Sequence, residues 1–212
     1  MMLTRTHRGF TLVETLVAIG IITLLVAIMV PTVKMVQAES RNTACLSNLK
    51  QNYQALQAYQ TANKGILAMC EFLPVVTPDG IEGGLPNLLS AYLPVESASW
   101  FCPADFDSES TDTGTSFTYL PGLLRFAPEI QLEVLQALVQ LPPQTIERQR
   151  TRVRLETESK LTARLFENDT KSLFPLLMDS EDRHFGTRIP RNGVFYDGSA
   201  RAMIVEANTA VD

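Results

Sequence analysis

The longest uninterrupted apolar pattern in the chain lies at its start. From Phe10 to Val30 only Glu14 is ionisable, and at about 1.5 Å per residue a helix of that length spans the roughly 30 Å hydrocarbon core of a bilayer. Pro31 follows; it removes a backbone donor and crowds the preceding turn, so a kink or short melted stretch is expected there. The helical pattern then resumes. Val33, Val36, Cys45, Leu49, Asn52 or Tyr53, Leu56 and Tyr59 recur every three to four residues, with Ala38, Ala44, Ala55 and Ala58 favouring the helix between them. Gly65 marks its end. The pattern predicts one helix of about 50 residues, half in lipid and half in solvent, its 45–59 stripe packed against a globular head.

Beyond the helix the pattern breaks into short pieces. Pro and Gly cluster over 74–86 as a loop before the apolar segment Leu88 to Leu93. Asp107 to Ser116 is acidic, rich in Ser and Thr, and reads as a surface loop. Glu129 to Leu141 has helical spacing in Ile130, Val134, Leu135, Leu138 and Leu141, and Pro142-Pro143 stops it. Thr145 to Phe166 carries two patterns. Ile146, Val153, Leu161 and Leu165 fit one helix face, whereas Arg150 to Glu156 alternates like an exposed strand; the helix is favoured. Near the carboxy terminus, Leu173–Met178, Val194–Tyr196 and Ala202–Val205 are short apolar runs. The last two flank Asp197-Gly198, a pair suited to the positive φ of a hairpin turn. A small antiparallel sheet follows, and the fold class is α+β.

Charge orients the apolar segment. Arg5 and Arg8, with His7, precede it, placing the amino terminus in the cytoplasm and everything after Pro31 outside; Lys34 and Arg41 oppose this weakly. A cleaved secretory signal fits poorly, because the apolar run is long and no Ala-x-Ala site follows Val30. Glu14 counts against a plain anchor, since a carboxylate inside an apolar span costs about 2.5–3.5 kcal/mol on insertion scales and marks a functional residue. The net charge of −5 becomes −7 without the two leader arginines, which argues against nucleic acid as the main partner. The mixed charge of 147–164 reads as a solvated face.

Arg8-Gly9-Phe10-Thr11-Leu12-Val13-Glu14 resembles the processing site of type IV prepilins and type II secretion pseudopilins. The resemblance implies a pilin-like fold and cleavage by prepilin peptidase between Gly9 and Phe10, with methylation of the new amino terminus. It also implies a partner for Glu14, the charged amine of Phe10 on a neighbouring subunit, where low dielectric strengthens the pairing and sets axial register. The chain then divides into a leader (1–9), a transmembrane and polymerisation helix (10–30), an amphipathic stem (31–64) and a periplasmic head (65–212).

A second set of blocks, Arg41…Cys45…Asn48-Leu49-Lys50, Cys102-Pro103-Ala104-Asp105, and Asp179-Ser180…Arg183-His184…Asn192 to Gly198, is similar to the pseudopilin-like family abundant in planctomycetes. There an Arg-His pair precedes an Asn…Phe…Asp-Gly hairpin. Here the spacing from His184 to Asp197 is longer than usual, and Ser199 stands where His is common.

Three cysteines, Cys45, Cys70 and Cys102, lie in the part placed outside the membrane, where one disulfide and one spare thiol are expected. Of the three pairings Cys45–Cys102 is favoured, as a staple from stem to head, with Cys70–Cys102 close behind. A zinc–thiolate site is disfavoured, because there is no Cys-x-x-Cys and His184 is remote in sequence. His184, Asn192 and Asp197 admit a metal or catalytic cluster. Turn chemistry favours instead a structural role, Asp197 making the turn and His184 bracing it. The role of the motif Arg183, His184, Asn192, Asp197 and Gly198 stays open. Related pseudopilins bind calcium; Asp105, Asp107, Glu109 and Asp112 supply oxygen ligands, without the alternating spacing that would make a calcium loop specific.

No phosphate loop, Gly-x-Ser-x-Gly or His-Glu-x-x-His appears, so no enzyme is indicated. The expected function is a structural subunit of a type II secretion pseudopilus, or of a type IV pilus-like filament, in the bacterial inner membrane. Its partners are prepilin peptidase and other subunits. The alternative is a membrane-tethered periplasmic hydrolase or metal-binding protein using His184 and Asp197.

Overall fold

A computed structural model describes residues 12–106, 109–167, 174–184 and 191–203. One helix, α1 (Leu12–Ala62), dominates it. Its run is unbroken through Pro31, so the expected melted stretch is absent. The Thr32 hydroxyl donates to the Met29 carbonyl at 2.8 Å in this turn, where proline supplies no amide hydrogen. Past Ala62 the chain leaves the helix through Lys64 and Gly65, both at positive φ, and the Gly65 amide donates back to the Gln60 carbonyl at 2.7 Å. That six-to-one bond is the C-terminal closure a glycine permits.

The two halves of α1 differ in what surrounds them. Its apolar first half is exposed throughout, while Cys45, Leu49, Asn52, Tyr53, Ala55 and Leu56 on the second half are buried. Val33 and Val36, expected on the packed stripe, are 46% and 68% exposed. The head begins to cover the helix only further along.

The head follows as β1 (Val75–Thr77), β2 (Gly80–Glu82), α2 (Gly84–Leu88), a 3-10 turn (Ala98–Trp100), α3 (Glu109–Thr113), β3 (Phe117–Tyr119), α4 (Leu120–Leu124), α5 (Pro128–Val139), α6 (Glu147–Glu167), β4 (Pro175–Asp179), β5 (Asn192–Phe195) and β6 (Ala200–Ala202). Strands β3-β4-β5-β6 form an antiparallel sheet in that order. Strands β4, β5 and β6 lie against α1. The result is a long amino-terminal helix on a small antiparallel sheet, an α+β, pilin-like architecture. Leu49, Leu56, Leu89, Trp100, Phe117, Tyr119, Phe166, Leu176, Leu177 and Val194 fill the space between helix and sheet.

The hairpin at Asp197-Gly198 joins β5 to β6, with Gly198 at φ 80° and the Asp197 carboxylate accepting from the Ser199 amide at 2.9 Å. Three expectations need correction. The 74–86 loop contains the β1–β2 hairpin and α2; both strands are three residues long and largely exposed, so no apolar alternation announces them. Within the 107–116 loop, residues Glu109–Thr113 form the short α3. Helix α6 exists as favoured, but it buries Glu158, Ser159, Thr162 and Phe166 rather than the face of Ile146 and Leu165, which are 61% and 47% exposed. Glu158, expected on a solvated face, is buried there with its Oε2 3.7 Å from Nη2 of half-buried Arg125.

Candidate metal centre

Two asparagines on the buried face of α1 set the site. Asn52 donates to the Ser99 carbonyl at 3.0 Å and Asn48 to the Phe101 carbonyl at 2.8 Å, holding the segment after the 3-10 turn against the helix. Cys45 lies one turn before Asn48 and Leu49 on the same face, so this docking brings Cys102 beside it. Buried Trp100, its indole donating to the Pro94 carbonyl at 3.0 Å, anchors the other side of the segment.

The sheet supplies the remaining groups. Asp179 ends β4, paired in register with Phe117. His184 follows five residues later, and Asn192 opens β5. Cys45 Sγ lies 3.3 Å from Asp179 Oδ1, His184 Nε2 lies 3.2 Å from Asp179 Oδ2, and Cys102 Sγ lies 3.5 Å from His184 Nε2. All four residues are buried, and one ligand atom from each lies within 4.8 Å of every other. All three cysteines are free thiols in this structure; Cys70, whose burial pushes its thiol up to about 12, is not one of the four.

Around this cluster the polar groups are themselves held. The Asn192 backbone amide donates to Asp179 Oδ2 at 2.7 Å, and its side-chain nitrogen lies 2.7 Å from Asn42 Oδ1 and 2.9 Å from His184 Nε2. The Cys102 amide donates to Ser116 Oγ at 3.0 Å, and that hydroxyl donates on to Asp105. Arg183 is buried beside His184 in sequence, its Nε 3.2 Å from Asp105 Oδ2 and its Nη1 donating to the Ser116 carbonyl at 3.0 Å.

The electrostatics follow from this crowding. The hydrogen bond shared with Cys45 is the main cause holding the Cys102 thiol down to about 6, and His184 adds to it against the cost of burial. The same shared bond, with burial and the Asp179 charge, pushes Cys45 far up, opposed by the Asn192 amide. Burial alone would lower the His184 imidazolium, but its bonds to Asp179 and Cys102 outweigh that and raise it to about 9. Soft sulfur, imidazole and carboxylate donors at one point form the ligand set of a zinc-type site.

The expected site residues separate on this structure. His184 and Asn192 meet, whereas Asp197 makes the hairpin turn through Ser199. Asp179, given no chemical role from the sequence, takes the place by His184 that the metal or catalytic alternative gave to Asp197. The signal for it was its place in the Asp179-Ser180…Arg183-His184 block of the family resemblance. Cys45 and Cys102 come together, and the sequence distance to His184 that counted against zinc is not a distance in space. Asp105 of the calcium set is engaged by Arg183 and Ser116; Asp107 and the side chain of Glu109 lie outside the described residues. Gly9 and Phe10 also lie outside them. Glu14 sits in the first turn of α1.

The start of α1 also contains the one helix among the described residues long and apolar enough to cross a membrane, with a mean hydropathy of 2.7 over its best stretch and none of that stretch buried. Residues 4–30 match the family model described as the prokaryotic N-terminal methylation motif. No curated protein and no solved structure matches the chain.

Proposed function

We propose that this chain is a prepilin-like structural subunit of a type II secretion pseudopilus or a type IV pilus-like filament. The observation that carries this reading is the methylation motif over 4–30 running directly into α1, whose apolar half is exposed and whose second half carries the head. An exposed apolar helix face of this size must meet lipid or other helices. In the membrane it meets lipid; in a filament it meets the same helix of neighbouring subunits.

On this reading prepilin peptidase removes residues 1–9 and methylates Phe10. Residues 10–30 anchor the subunit and then polymerise, 31–64 form the stem and 65–212 the head. The amino terminus faces the cytoplasm and the head the periplasm, as the basic leader directs. Glu14 pairs with the amine of Phe10 on an adjacent subunit, and this pairing sets the stagger. The role is structural, with the acidic head meeting neighbouring subunits or cargo.

Intact mass and amino-terminal sequencing of the protein from its native membrane, with and without prepilin peptidase, test the reading. The expected product begins at N-methylated Phe10 only when the peptidase is present. A chain retaining Met1, or cut beyond Val30, would overturn it.

A further inference from the structure

We propose that Cys45, Cys102, Asp179 and His184 bind one zinc ion that staples the stem helix to the head sheet. The inference stands on the head's geometry and is independent of the filament reading.

The convergence of four buried ligand atoms and the spacing of its close pairs carry it. A tetrahedral zinc with bonds of about 2.3 Å to sulfur, about 2.05 Å to nitrogen and about 2.1 Å to oxygen places neighbouring ligand atoms about 3.4–3.8 Å apart. Cys45 Sγ–Asp179 Oδ1 and Cys102 Sγ–His184 Nε2 are 3.3 and 3.5 Å here, and His184 Nε2 lies 3.2 Å from the other oxygen of the same carboxylate, Asp179 Oδ2. Two edges match that tetrahedron to within a few tenths of an ångström, and all four ligand atoms lie within 4.8 Å of one another. A small outward breathing of the ligands, rather than a rearrangement of the chain, admits the ion.

The ligand set argues for zinc among divalent cations. Thiolates discriminate against magnesium and calcium, and a mixed sulfur, nitrogen and oxygen tetrahedron suits a metal with no geometric preference of its own. Four protein ligands close the coordination sphere, and all four are buried. This is the arrangement of a structural zinc, since a catalytic one keeps a position for water or substrate.

Outer groups are in place as metal sites require. The Asn192 amide fixes Asp179 through Oδ2, leaving Oδ1 on the Cys45 side. The Ser116 hydroxyl fixes the backbone at Cys102. A cavity of about 280 Å³, lined by Ala38, Arg41, Phe106 and His184 among others, reaches the histidine and gives the ion a way in. The four ligands come from α1, the segment after the 3-10 turn, the end of β4 and the residues just beyond it. Zinc here joins parts of the chain 134 and 82 residues apart.

The same two sulfurs are those of the expected Cys45–Cys102 disulfide, and the two states exclude each other. The test uses full-length protein purified from membranes in mild detergent, without chelator or reductant. Elemental analysis is expected to return about one zinc per chain, with both thiols free by intact mass under denaturation. After the metal is removed with a strong chelator, cobalt(II) should restore a tetrahedral spectrum with thiolate-to-cobalt charge transfer. His184→Ala and Cys102→Ser should abolish that spectrum. Because removal and rebinding are measured on the wild-type chain, the result does not depend on the variants folding. A mass two hydrogens light, locating a Cys45–Cys102 bond, would overturn the proposal. So would free thiols that take up neither zinc nor cobalt.

Discussion

Gly122 shows how tightly single positions in the head are set. A methyl group there would lie 2.7 Å from both the Cys70 carbonyl oxygen and the Phe72 amide nitrogen, atoms of backbone that cannot swing aside. Gly122→Ala is expected to destabilise the protein by about 1–3 kcal/mol or more, the cost of overpacking a filled space. Chemical unfolding of the full-length protein in detergent measures it. Gly198 is constrained twice, by φ of 80° and by the Tyr53 ring 2.8 Å from the same methyl position. Its neighbour Asp197 titrates. The Ser199 hydroxyl and amide hold the Asp197 carboxyl below its usual value of 3.8, so its contribution to stability is present above that value and lost as pH falls through the lower folded one. Asp197 is exposed, so solvent screens the effect and keeps it small. The stability gap between wild type and Asp197→Ala should therefore narrow as pH falls from about 5 through the lowered folded value, in paired unfolding curves. The hairpin itself was legible because Asp-Gly acts locally, and the glycine contact with Tyr53 was not.

At the scale of elements, the helices were legible wherever periodicity had a single source. Helix α1 runs 51 residues against an expectation of about 50, and α5 runs Pro128–Val139 inside the expected 129–141 almost throughout. Helix α6 shows the limit. Its sequence offered an apolar face, but the head presents Arg125 to it, and Glu158 is buried as that cation's partner. Burial follows what lies opposite, which a helix's own spacing does not encode. Pro31 makes the same point in reverse, since the first turn after it continues and the helix absorbs one missing bond. These assignments separate in mutational cost. Leu49→Ala empties a fully buried site between α1 and the sheet and should cost about 2–5 kcal/mol. Val139→Ala, on the exposed side of α5, should cost no more than about 0.5 kcal/mol. Equal losses in denaturant unfolding would show that the packing between stem and head is misassigned.

At the scale of the molecule, α1 belongs to two environments, and its first half makes sense only with partners outside the chain. On the filament reading, Glu14→Ala leaves cleavage intact and impairs assembly; normal filaments from that variant, seen by electron microscopy beside a processing assay, would sink the register role. The sequence by itself determined the membrane-length helix, the methylation motif, the helical segments and the hairpin turn. Each depends on residues within a few turns of one another, where spacing and φ preference act directly. Tertiary structure alone decided which polar side chains meet. Cys45, Cys102, Asp179 and His184 converge because Asn48 and Asn52 dock the 98–102 segment on α1 while the sheet carries the ends of β4 and β5 to the same place. Such contacts are set by strand order and by how a helix crosses a sheet. Neither leaves a local pattern in the chain, which is why Asp179 was given no chemical role and His184 appeared remote from the sulfurs it lies beside.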